Sequence, residues 1–284
     1  MFASIITCVY NQDFNIFQEC FDSICNIKFT DDFEWIIVDD GSDICFFNGY
    51  LDIINKYNKP LNITIKRLEN NSGLSIARNE AINLSNGEWV ISLDSDDKLE
   101  PHLIQELKNL NKHVNIAAFE VNYFNSNSSE YRKLNKFKQW FEEFGLTDLD
   151  PFLWFDFYYH GIIAKKNIIE KIGCYDNFLK VGEDQDILIK VVHSMKKENV
   201  AFIEKLGYHY RNNENGVCKK NWDEVLLGYT SSMLKSMKRL NQLFIECRFG
   251  GTITIDESII DIYEYKHAQH GWLNWYNYKD IKKI

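Results

Sequence analysis

Two aspartates separated by one residue, Asp94 and Asp96, follow an apolar run and are the strongest candidates for chemistry in the sequence. If that run is a strand, its side chains alternate, so both carboxylates point to the same side. Hard divalent cations are bound by carboxylate oxygens, often together with substrate phosphates and water. The pair therefore predicts a site for Mn²⁺ or Mg²⁺, where the ion would stabilise a departing diphosphate. The alternatives are a solvated acidic loop, or a role for Asp97 as the cap of the following helix.

A second acidic pair, Asp39 and Asp40, also follows an apolar run and precedes Gly41 and Ser42. In sheets of parallel strands, ligands bind beyond the carboxyl ends of the strands. Two strands that both end in paired acids therefore predict a single ligand-binding edge. The alternative for this second pair is a plain turn built with Gly41 and Ser42.

The elements that would position these acids alternate between strand and helix. Short apolar runs predict buried strands, and apolar residues at three- and four-residue steps predict helices between them. Because strands that alternate with helices form mostly parallel sheets, we predict an α/β fold with a Rossmann-like sheet flanked by helices. The predicted strands cover residues 2–9, 33–38, 61–68 and 89–93, and the helical stripes cover 17–24, 53–57 and 76–84.

The pattern is less regular after about residue 120. Short strands are predicted at 162–164 and 200–203, with a helix between them that begins at Glu183 and Asp184. Farther on, helical spacing predicts a long helix over 222–244 and another over 259–284.

Six segments within residues 2–212 resemble the motifs of family-two glycosyltransferases of the GT-A fold. Each segment is common alone, but the first four in this order and spacing are highly specific. The sequence departs from the family's usual pattern at Cys8, where Pro is frequent, and at Asn213, where His is frequent. The segments are Ile5–Asn11, Phe33–Ser42, Asn71–Asn79, Gly87–Asp97, Gly182–Asp186 and Tyr208–Arg211.

The resemblance implies that residues 1–110 form the nucleotide-sugar-binding half of a GT-A domain. Four residues would line the base and ribose pocket, where an acid accepting from a ring N–H favours a UDP or TDP sugar. The four pocket residues would be Cys8, Tyr10, Asp39 and Asp40. Arg78 would lie over the nucleotide or its phosphates. Asp94 would face the ribose or metal-bound water, and Asp96 would bind the metal. For Arg78, a surface pairing with Glu80 or Glu34 stays open.

By the same resemblance, residues 111–215 form the acceptor-binding half and 216–284 a C-terminal helical region. Asp184 would be the general base that takes the proton of the acceptor hydroxyl. Glu183, Asp186 and Arg211 would contact or position the acceptor. The alternative for Asp184 is a helix-capping acid, since acids are favoured in a first turn.

The expected activity is an inverting, direct-displacement transfer of a hexose from a UDP- or TDP-sugar to a hydroxyl of a glycan or lipid-linked acceptor. Because many members of this family build cell-surface polysaccharide, the resemblance implies a role in bacterial surface polysaccharide synthesis. A sugar-nucleotide nucleotidyltransferase, a phosphatase and a catalytically silent glycan- or partner-binding protein are the alternatives. Residues 8–12 contain neither a basic Gly-rich loop nor a nucleophilic aspartate, which disfavours the first two. The intact Asp94, Asp96 and Asp184 disfavour the third.

Composition restricts the partners and the cellular location. The formal net charge of -9 and the pI near 5.3 disfavour nonspecific binding to nucleic acid, which needs clustered Lys and Arg. The 7 cysteines form no C-x-x-C pair and are expected to be free thiols of a reducing compartment. We find no signal-peptide pattern and no apolar run of about 18 residues, so we expect a cytoplasmic protein, at most at the inner face of the membrane.

Aromatic residues near the C-terminus leave two interpretations open. Trp272, Trp275 and Tyr278 stand close to lysines and would suit peripheral contact with a membrane that carries a lipid-linked acceptor. Alternatively, they would pack onto the catalytic lobe or onto a second subunit of a homo-oligomer.

Overall fold

The computed structural model describes most of the predicted catalytic region and four later strands. The described residues are 1–28, 30–57, 61–132, 161–179, 182–193, 199–212, 242–247, 251–255, 260–265 and 273–277. They form one nine-stranded sheet and one four-stranded sheet. None of the helices in these ranges has the length and apolar character needed to cross a bilayer.

The first part of the chain forms the parallel half of the large sheet, which confirms the predicted alternation of strand and helix. Its strands lie side by side in the order β3-β2-β1-β4, and each adjacent pair is parallel. The elements are β1 (Ala3–Val9), α1 (Phe14–Cys25), a 3-10 turn (Thr30–Asp32), β2 (Phe33–Asp39), α2 (Ile44–Asn55), β3 (Ile63–Arg67), α3 (Leu74–Leu84) and β4 (Trp89–Ser92).

The second part extends the same sheet with mixed strand directions, so the sheet as a whole is not mostly parallel. From β4 the order continues β8-β6-β9-β5, with β7 beside β6. Strands β6 and β9 are parallel, whereas β8 runs antiparallel to both of its neighbours. The elements are β5 (Lys98–Leu99), α4 (Leu103–Lys108), β6 (Ile116–Phe124), β7 (Ser129–Arg132), β8 (Ile163–Lys165), α5 (Lys166–Lys171), α6 (Glu183–His193) and β9 (Val200–Arg211).

The core explains why the central strands read as continuous apolar runs. All seven residues of β2 are buried, because helices cover both faces of the sheet. Trp35 and Ile37 pack into one apolar cluster, whereas Ile36 and Val38 pack into the other, as strand alternation requires.

Two glycines permit close backbone approaches near the carboxyl ends of the strands. Gly41 has φ +74°, and a Cβ there would lie 2.4 Å from the carbonyl carbon of Asn70. Gly161 has φ +86°, and a Cβ there would lie 2.4 Å from the carbonyl oxygen of Ser92. Because an L side chain is disfavoured on both counts, these positions hold the loops tightly against the strand ends.

The described C-terminal residues form an antiparallel sheet, so the helix predicted over 259–284 is wrong there. Its strands are β10 (Gln242–Cys247), β11 (Gly251–Ile255), β12 (Ile260–Tyr265) and β13 (Leu273–Asn277), in the order β12-β11-β10-β13. In β12 four of the six residues are isoleucine or tyrosine, types that are enriched in strands and so compete with the helical spacing. Most of the helix predicted over 222–244, together with Trp272 and Tyr278 of the membrane prediction, lies outside the described residues.

Candidate functional site

The predicted acidic strand ends meet at one edge of the sheet. Strand β1 lies between β2 and β4, so the loops after all three strands are neighbours. The backbone N–H of Asp40 donates to the carbonyl of Val9 at 2.9 Å, and that of Leu93 to the carbonyl of Ile6 at 2.9 Å. These bonds carry the pairing past the ends of the strands and confirm the predicted convergence.

Asp39 is fully buried at the end of β2. Its Oδ2 accepts from Nε of Arg67 at 3.1 Å, and its Oδ1 from the backbone N–H of Ser42 at 3.3 Å. The guanidinium of Arg67 also donates to the carbonyl of Ser42 at 2.6 Å, which fixes the loop after β2. The carboxylate of Asp39 is thus paired with the Arg67 cation and also stabilises the turn at Gly41 and Ser42, which was the alternative to a ligand-binding role.

Asp40 is nearly buried and binds the entrance of α3. Its two carboxylate oxygens accept from the backbone N–H groups of Ser72 at 2.7 Å and Gly73 at 2.9 Å. These donors lie at the N-terminus of the helix, where a negative charge is stabilising. Asp40 therefore fixes α3 relative to β2, whatever it contributes to a nucleotide.

The loop after β1 presents the two remaining candidates for the base pocket. Tyr10 is 51% exposed, whereas burial raises the pKa of the Cys8 thiol to about 12, so the thiol is neutral. Asn11 adopts φ 46°, which Asn tolerates better than most residues. Its N–H donates to Oγ of Ser42 at 2.9 Å, and its Oδ1 accepts from the N–H of Asp43 at 2.8 Å. The loops after β1 and β2 are thereby joined.

Arg78 on α3 bridges the two halves of the site. One of its terminal nitrogens donates to Oδ1 of Asp94 at 2.7 Å and the other to Oε1 of Glu183 at 2.8 Å. The guanidinium also lies 5.3 Å from the ring centroid of Tyr175, and the side chain is only 5% exposed. Charge-assisted bonds from a buried guanidinium are strong and directional. The end of β4 is therefore linked to the start of α6.

The surface pairing considered for Arg78 is wrong. Glu80 accepts from Lys66 instead, and the buried Glu34 accepts from Ser4 and from Asn86. Glu34 is thus a structural acid of the loop before β4.

Helix α3 is fastened to the segment that precedes α6 by further polar contacts. Asn79 accepts from the N–H of Tyr175 and donates to its carbonyl, both at 2.9 Å. Oγ of Ser75 donates to the carbonyl of Leu179 at 3.1 Å. The predicted donor and acceptor halves are therefore held together along α3, an arrangement that the sequence motifs did not indicate.

The turn Asp94–Asp97 carries the predicted metal site. The N–H of Asp97 donates to the carbonyl of Asp94 at 3.0 Å, which closes the turn. Burial, followed by the charge of Asp94, raises the pKa of Asp96 to about 6. The charge of Arg211 opposes this rise only in part, and a divalent cation would add further compensation. Asp97 does not cap α4, whose N-cap is His102.

The available carboxylates suit a divalent cation whose coordination shell would be completed by oxygen atoms of the substrate. Within the described ranges there is no group of three or more His, Cys, Asp or Glu side chains arranged to hold a metal ion. Asp96, with Asp94 beside it, would therefore supply one or two carboxylates, and phosphate oxygens and water the rest.

The start of α6 carries the predicted acceptor-side acids in different environments. Glu183 is nearly buried against Arg78, and Asp186 is fully buried, with Lys190 Nζ at 2.5 Å from its Oδ2. The buried Asp186 anchors the helix through Lys190, and the acceptor-side role predicted for Glu183 and Asp186 stays a prediction. Asp184 lies in the first turn and is partly exposed.

Arg211 lies against the Asp94–Asp97 turn rather than against α6. Its Nε donates to the carbonyl of Asp96 at 2.7 Å, and its Nη2 donates to Oε2 of Glu19 at 2.8 Å. The guanidinium carbon also lies 4.6 Å from the ring centroid of Phe124. These contacts do not support the acceptor role predicted for Arg211.

Replacing Asp96 with asparagine is expected to stabilise the metal-free protein at alkaline pH. The pKa of Asp96 is raised from 3.8 to about 6, so the folded state binds this proton more tightly than the unfolded state. Stability from this group is therefore lost as the pH rises through that window, and the full penalty is present above it. We expect the variant to gain about 1 kcal/mol at pH 8 in EDTA, or about 2–4 °C in melting temperature, and nothing near pH 4.

Thermal unfolding at both pH values, with Asp52→Asn as the control for an exposed acid, measures this difference. A variant that is less stable than the wild type at pH 8 in EDTA would contradict it.

A sequence profile described as "Glycosyl transferase family 2" matches residues 4–173. The matched region runs from β1 to α5 and contains Asp39, Asp40, Arg78, Asp94 and Asp96, but neither α6 nor β9.

Two curated glycosyltransferases are similar to this chain over part of their length. The chain is 32% identical over 184 residues to the poly(ribitol-phosphate) beta-N-acetylglucosaminyltransferase TarP of Staphylococcus aureus, covering 63% of this chain and 52% of that protein. The chain spans about half or less of the length of the curated poly(ribitol-phosphate) glycosyltransferases that it matches.

Solved structures share the fold. The crystal structure of S. aureus TarS 1-349 in complex with UDP-GlcNAc superposes with a TM-score of 0.62 at 18% identity, covering 85% of this chain and 72% of that one. The mannosyltransferase PcManGT of Pyrobaculum calidifontis, in complex with GDP-Man and Mn²⁺, superposes with a TM-score of 0.60 at 15% identity, covering 84% and 63%. The sheet is therefore a GT-A sheet, as the resemblance implied.

Proposed function

Because the chain belongs to glycosyl transferase family 2, we propose that it transfers a sugar from a UDP-sugar, or a TDP-sugar, to a hydroxyl group with inversion. The observation that carries the proposal is the bridge from Asp94 through Arg78 to Glu183, which brings a donor motif next to Asp184. As acceptor we propose a glycan or lipid-linked glycan of a bacterial surface polysaccharide. The name of TarP and the UDP-GlcNAc bound to TarS support this substrate class.

On the donor side, we assign the base and ribose to the loops after β1 and β2. Tyr10 offers an exposed ring and phenol, and the pair Asp39 and Asp40 supplies negative charge near the base. Because Asp40 already accepts two backbone N–H groups, its part in binding is to hold this loop and α3 in place. Arg78 supplies positive charge at the edge of this pocket.

At the turn after β4, we assign Asp96 to direct metal contact and Asp94 to the ribose or to metal-bound water. Bound Mn²⁺ or Mg²⁺ would supply a Lewis acid that stabilises the charge developing on the diphosphate. The side chain of Asp94 is 39% exposed, so it can face the donor while Arg78 holds its other side. The bond to Arg78 fixes its direction before the substrate binds, which is the preorganisation that electrostatic catalysis needs.

On the acceptor side, we assign the general base to Asp184. Its partners in the same turn, Glu183 and Asp186, are buried and paired with Arg78 and Lys190, which holds the first turn of α6. From there Asp184 would take the proton of the acceptor hydroxyl as its oxygen attacks the anomeric carbon opposite the diphosphate. A direct displacement of this kind inverts the anomeric configuration.

Purified protein is expected to transfer the sugar of a UDP-sugar to water in the presence of Mn²⁺ and thereby to release UDP, and to bind UDP about 100-fold more weakly in EDTA. A donor panel of UDP-GlcNAc, UDP-glucose, TDP-glucose and GDP-mannose, with and without Mn²⁺ or Mg²⁺, measures release, and calorimetry measures binding. Asp96→Ala should remove the metal-dependent part of UDP affinity, whereas Asp52→Ala, an exposed acid on α2, should not.

A protein that binds none of these nucleotides would contradict the proposal. Formation of a nucleotide sugar and diphosphate from a nucleoside triphosphate and a sugar 1-phosphate would identify a nucleotidyltransferase instead.

A further inference from the structure

The turn Asp94–Asp97 is held in place by strand β9, which lies more than a hundred residues later in the chain. Strand β5 follows the turn directly and pairs antiparallel with β9, with Leu99 opposite Tyr208. This pairing brings the side chain of Tyr208, which is only 2% exposed, beneath the turn.

The phenol of Tyr208 contacts both ends of the turn. It donates to Oδ2 of Asp97 at 2.8 Å and accepts from the backbone N–H of Asp94 at 3.3 Å. One oxygen atom therefore spans the turn that the bond from Asp97 N–H to the carbonyl of Asp94 closes.

Asp97 and Arg211 complete the attachment to β9. Asp97 is 1% exposed, and its Oδ1 accepts from the backbone N–H of Arg211 at 2.7 Å. The side chain of Arg211 donates in turn to the carbonyl of Asp96 at 2.7 Å. These contacts use the carboxylate of Asp97 and the backbone of the turn, and not the carboxylates of Asp94 and Asp96.

We propose that Tyr208 is a positioning residue that orients Asp94 and Asp96 for the metal ion and the donor diphosphate. The assignment rests on the proposed function, because it concerns how well the turn presents its carboxylates to that ligand. Removing the hydroxyl leaves the N–H of Asp94 and an oxygen of the buried Asp97 without this partner, and such groups are costly to bury. The turn is then expected to shift, and shifts of about 1 Å at a ligand-holding group have large effects.

A purely structural tyrosine would behave differently. Its loss would lower the melting temperature but would weaken UDP binding equally with and without metal. The distinguishing measurement is therefore the metal-dependent part of UDP affinity.

The test is calorimetry of UDP binding in Mn²⁺ and in EDTA with wild type, Tyr208→Phe and Tyr57→Phe. Tyr57 is the matched control, because its hydroxyl donates to the carbonyl of Cys25 at 3.3 Å at the far end of α1. We expect Tyr208→Phe to weaken UDP binding in Mn²⁺ by about tenfold, to leave it unchanged in EDTA, and to have no effect in an Asp96→Ala background. Tyr57→Phe should match the wild type in both buffers.

Equal affinities of wild type and Tyr208→Phe in Mn²⁺, or an equal loss in both buffers, would overturn the assignment and leave the proposed function intact. A wild type without Mn²⁺-dependent UDP binding would overturn the proposed function, and the assignment with it. If Tyr208→Phe does not fold, Asp97→Asn decides, because it keeps the volume but cannot accept at both positions. Wild-type affinity of that variant in Mn²⁺ would equally overturn the assignment.

Discussion

Asparagine in place of Asp184 is expected to lower kcat by about 10²–10⁴-fold while leaving the affinity for UDP unchanged. The amide has the same shape but cannot accept the proton of the acceptor hydroxyl. Asp184 is the partly exposed acid of a turn whose other acids, Glu183 and Asp186, are buried in ion pairs. Because those pairs hold α6 independently of Asp184, the helix should keep its position in the variant.

Two measurements separate this role from a helix-capping role. Calorimetry with UDP and Mn²⁺ reports whether the donor site is intact, and initial rates as a function of pH report the base. The acidic limb of the pH profile of kcat should change in Asp184→Asn, since the ionisable base is gone. A capping acid would instead cost about 0.3–1 kcal/mol of stability with little change in kcat.

Glu183→Gln is the matched comparison, because it alters the neighbouring acid without removing the base. It should lower stability more than Asp184→Asn and kcat less. Turnover near the wild-type value in Asp184→Asn would remove this residue from the mechanism.

The strands at the donor edge could be predicted because their signals are local. The runs before Asp39 and Asp94 are short, β-rich and mostly apolar, with Glu34 as their one charged residue, as is typical of strands buried on both faces. Acids at the end of such runs have one physical location, the carboxyl edge of the sheet. The resemblance added the order and spacing of these motifs, and the structure confirms that they meet.

Strand β6 was missed because its sequence looks polar toward its end. It contains Glu120, which is buried nonetheless because Tyr131 of β7 donates a hydrogen bond to its carboxylate. That partner is eleven residues away on a strand that was itself not predicted. A charged residue can be predicted inside a strand only when its partner is known. Sequence periodicity alone does not identify that partner.

The partners of the site acids were not predictable for a similar reason. Asp40 accepts from backbone N–H groups 32 and 33 residues later, and backbone groups carry no sequence signal. Arg78 and Glu183 are 105 residues apart, and the only ion-pair partners that the sequence suggested for Arg78 were Glu80 and Glu34. The fold selects among acids that the sequence presents as equivalent.

Lysine in place of Arg78 is expected to lower kcat by about 100-fold while changing the affinity for UDP by only a few-fold. A guanidinium can bind Asp94 and Glu183 at the same time, whereas an ammonium group is a single point charge on a flexible stem. When the bridge is lost, Asp184 and the donor motif no longer have a fixed separation. A misplacement of about 1 Å in a reacting pair costs on the order of 10²-fold in rate.

Arg67→Lys provides the matched control at the same edge of the sheet. Arg67 also makes two bonds with its guanidinium, one to Asp39 at 3.1 Å and one to the carbonyl of Ser42 at 2.6 Å. These two bonds go to the last residue of β2 and to the loop after it, so this variant should weaken UDP binding and leave kcat largely unchanged. If instead Arg78→Lys weakened UDP binding and left kcat unchanged, Arg78 would contribute to nucleotide binding alone.

A double-mutant cycle between Arg78 and Glu183 tests the bridge itself. Arg78→Met leaves Glu183 buried without its cation, which is expected to cost about 3–5 kcal/mol of stability. In a Glu183→Gln background the buried charge is absent, so the same substitution should cost much less. Melting temperatures and kcat of the four proteins give the coupling energy, and residues in direct contact are expected to be non-additive by about 0.5–3 kcal/mol. Additive effects would mean that the two halves of the site are held together by the Asn79 and Ser75 contacts, and that the ion pairs of Arg78 transmit nothing between the donor and the base.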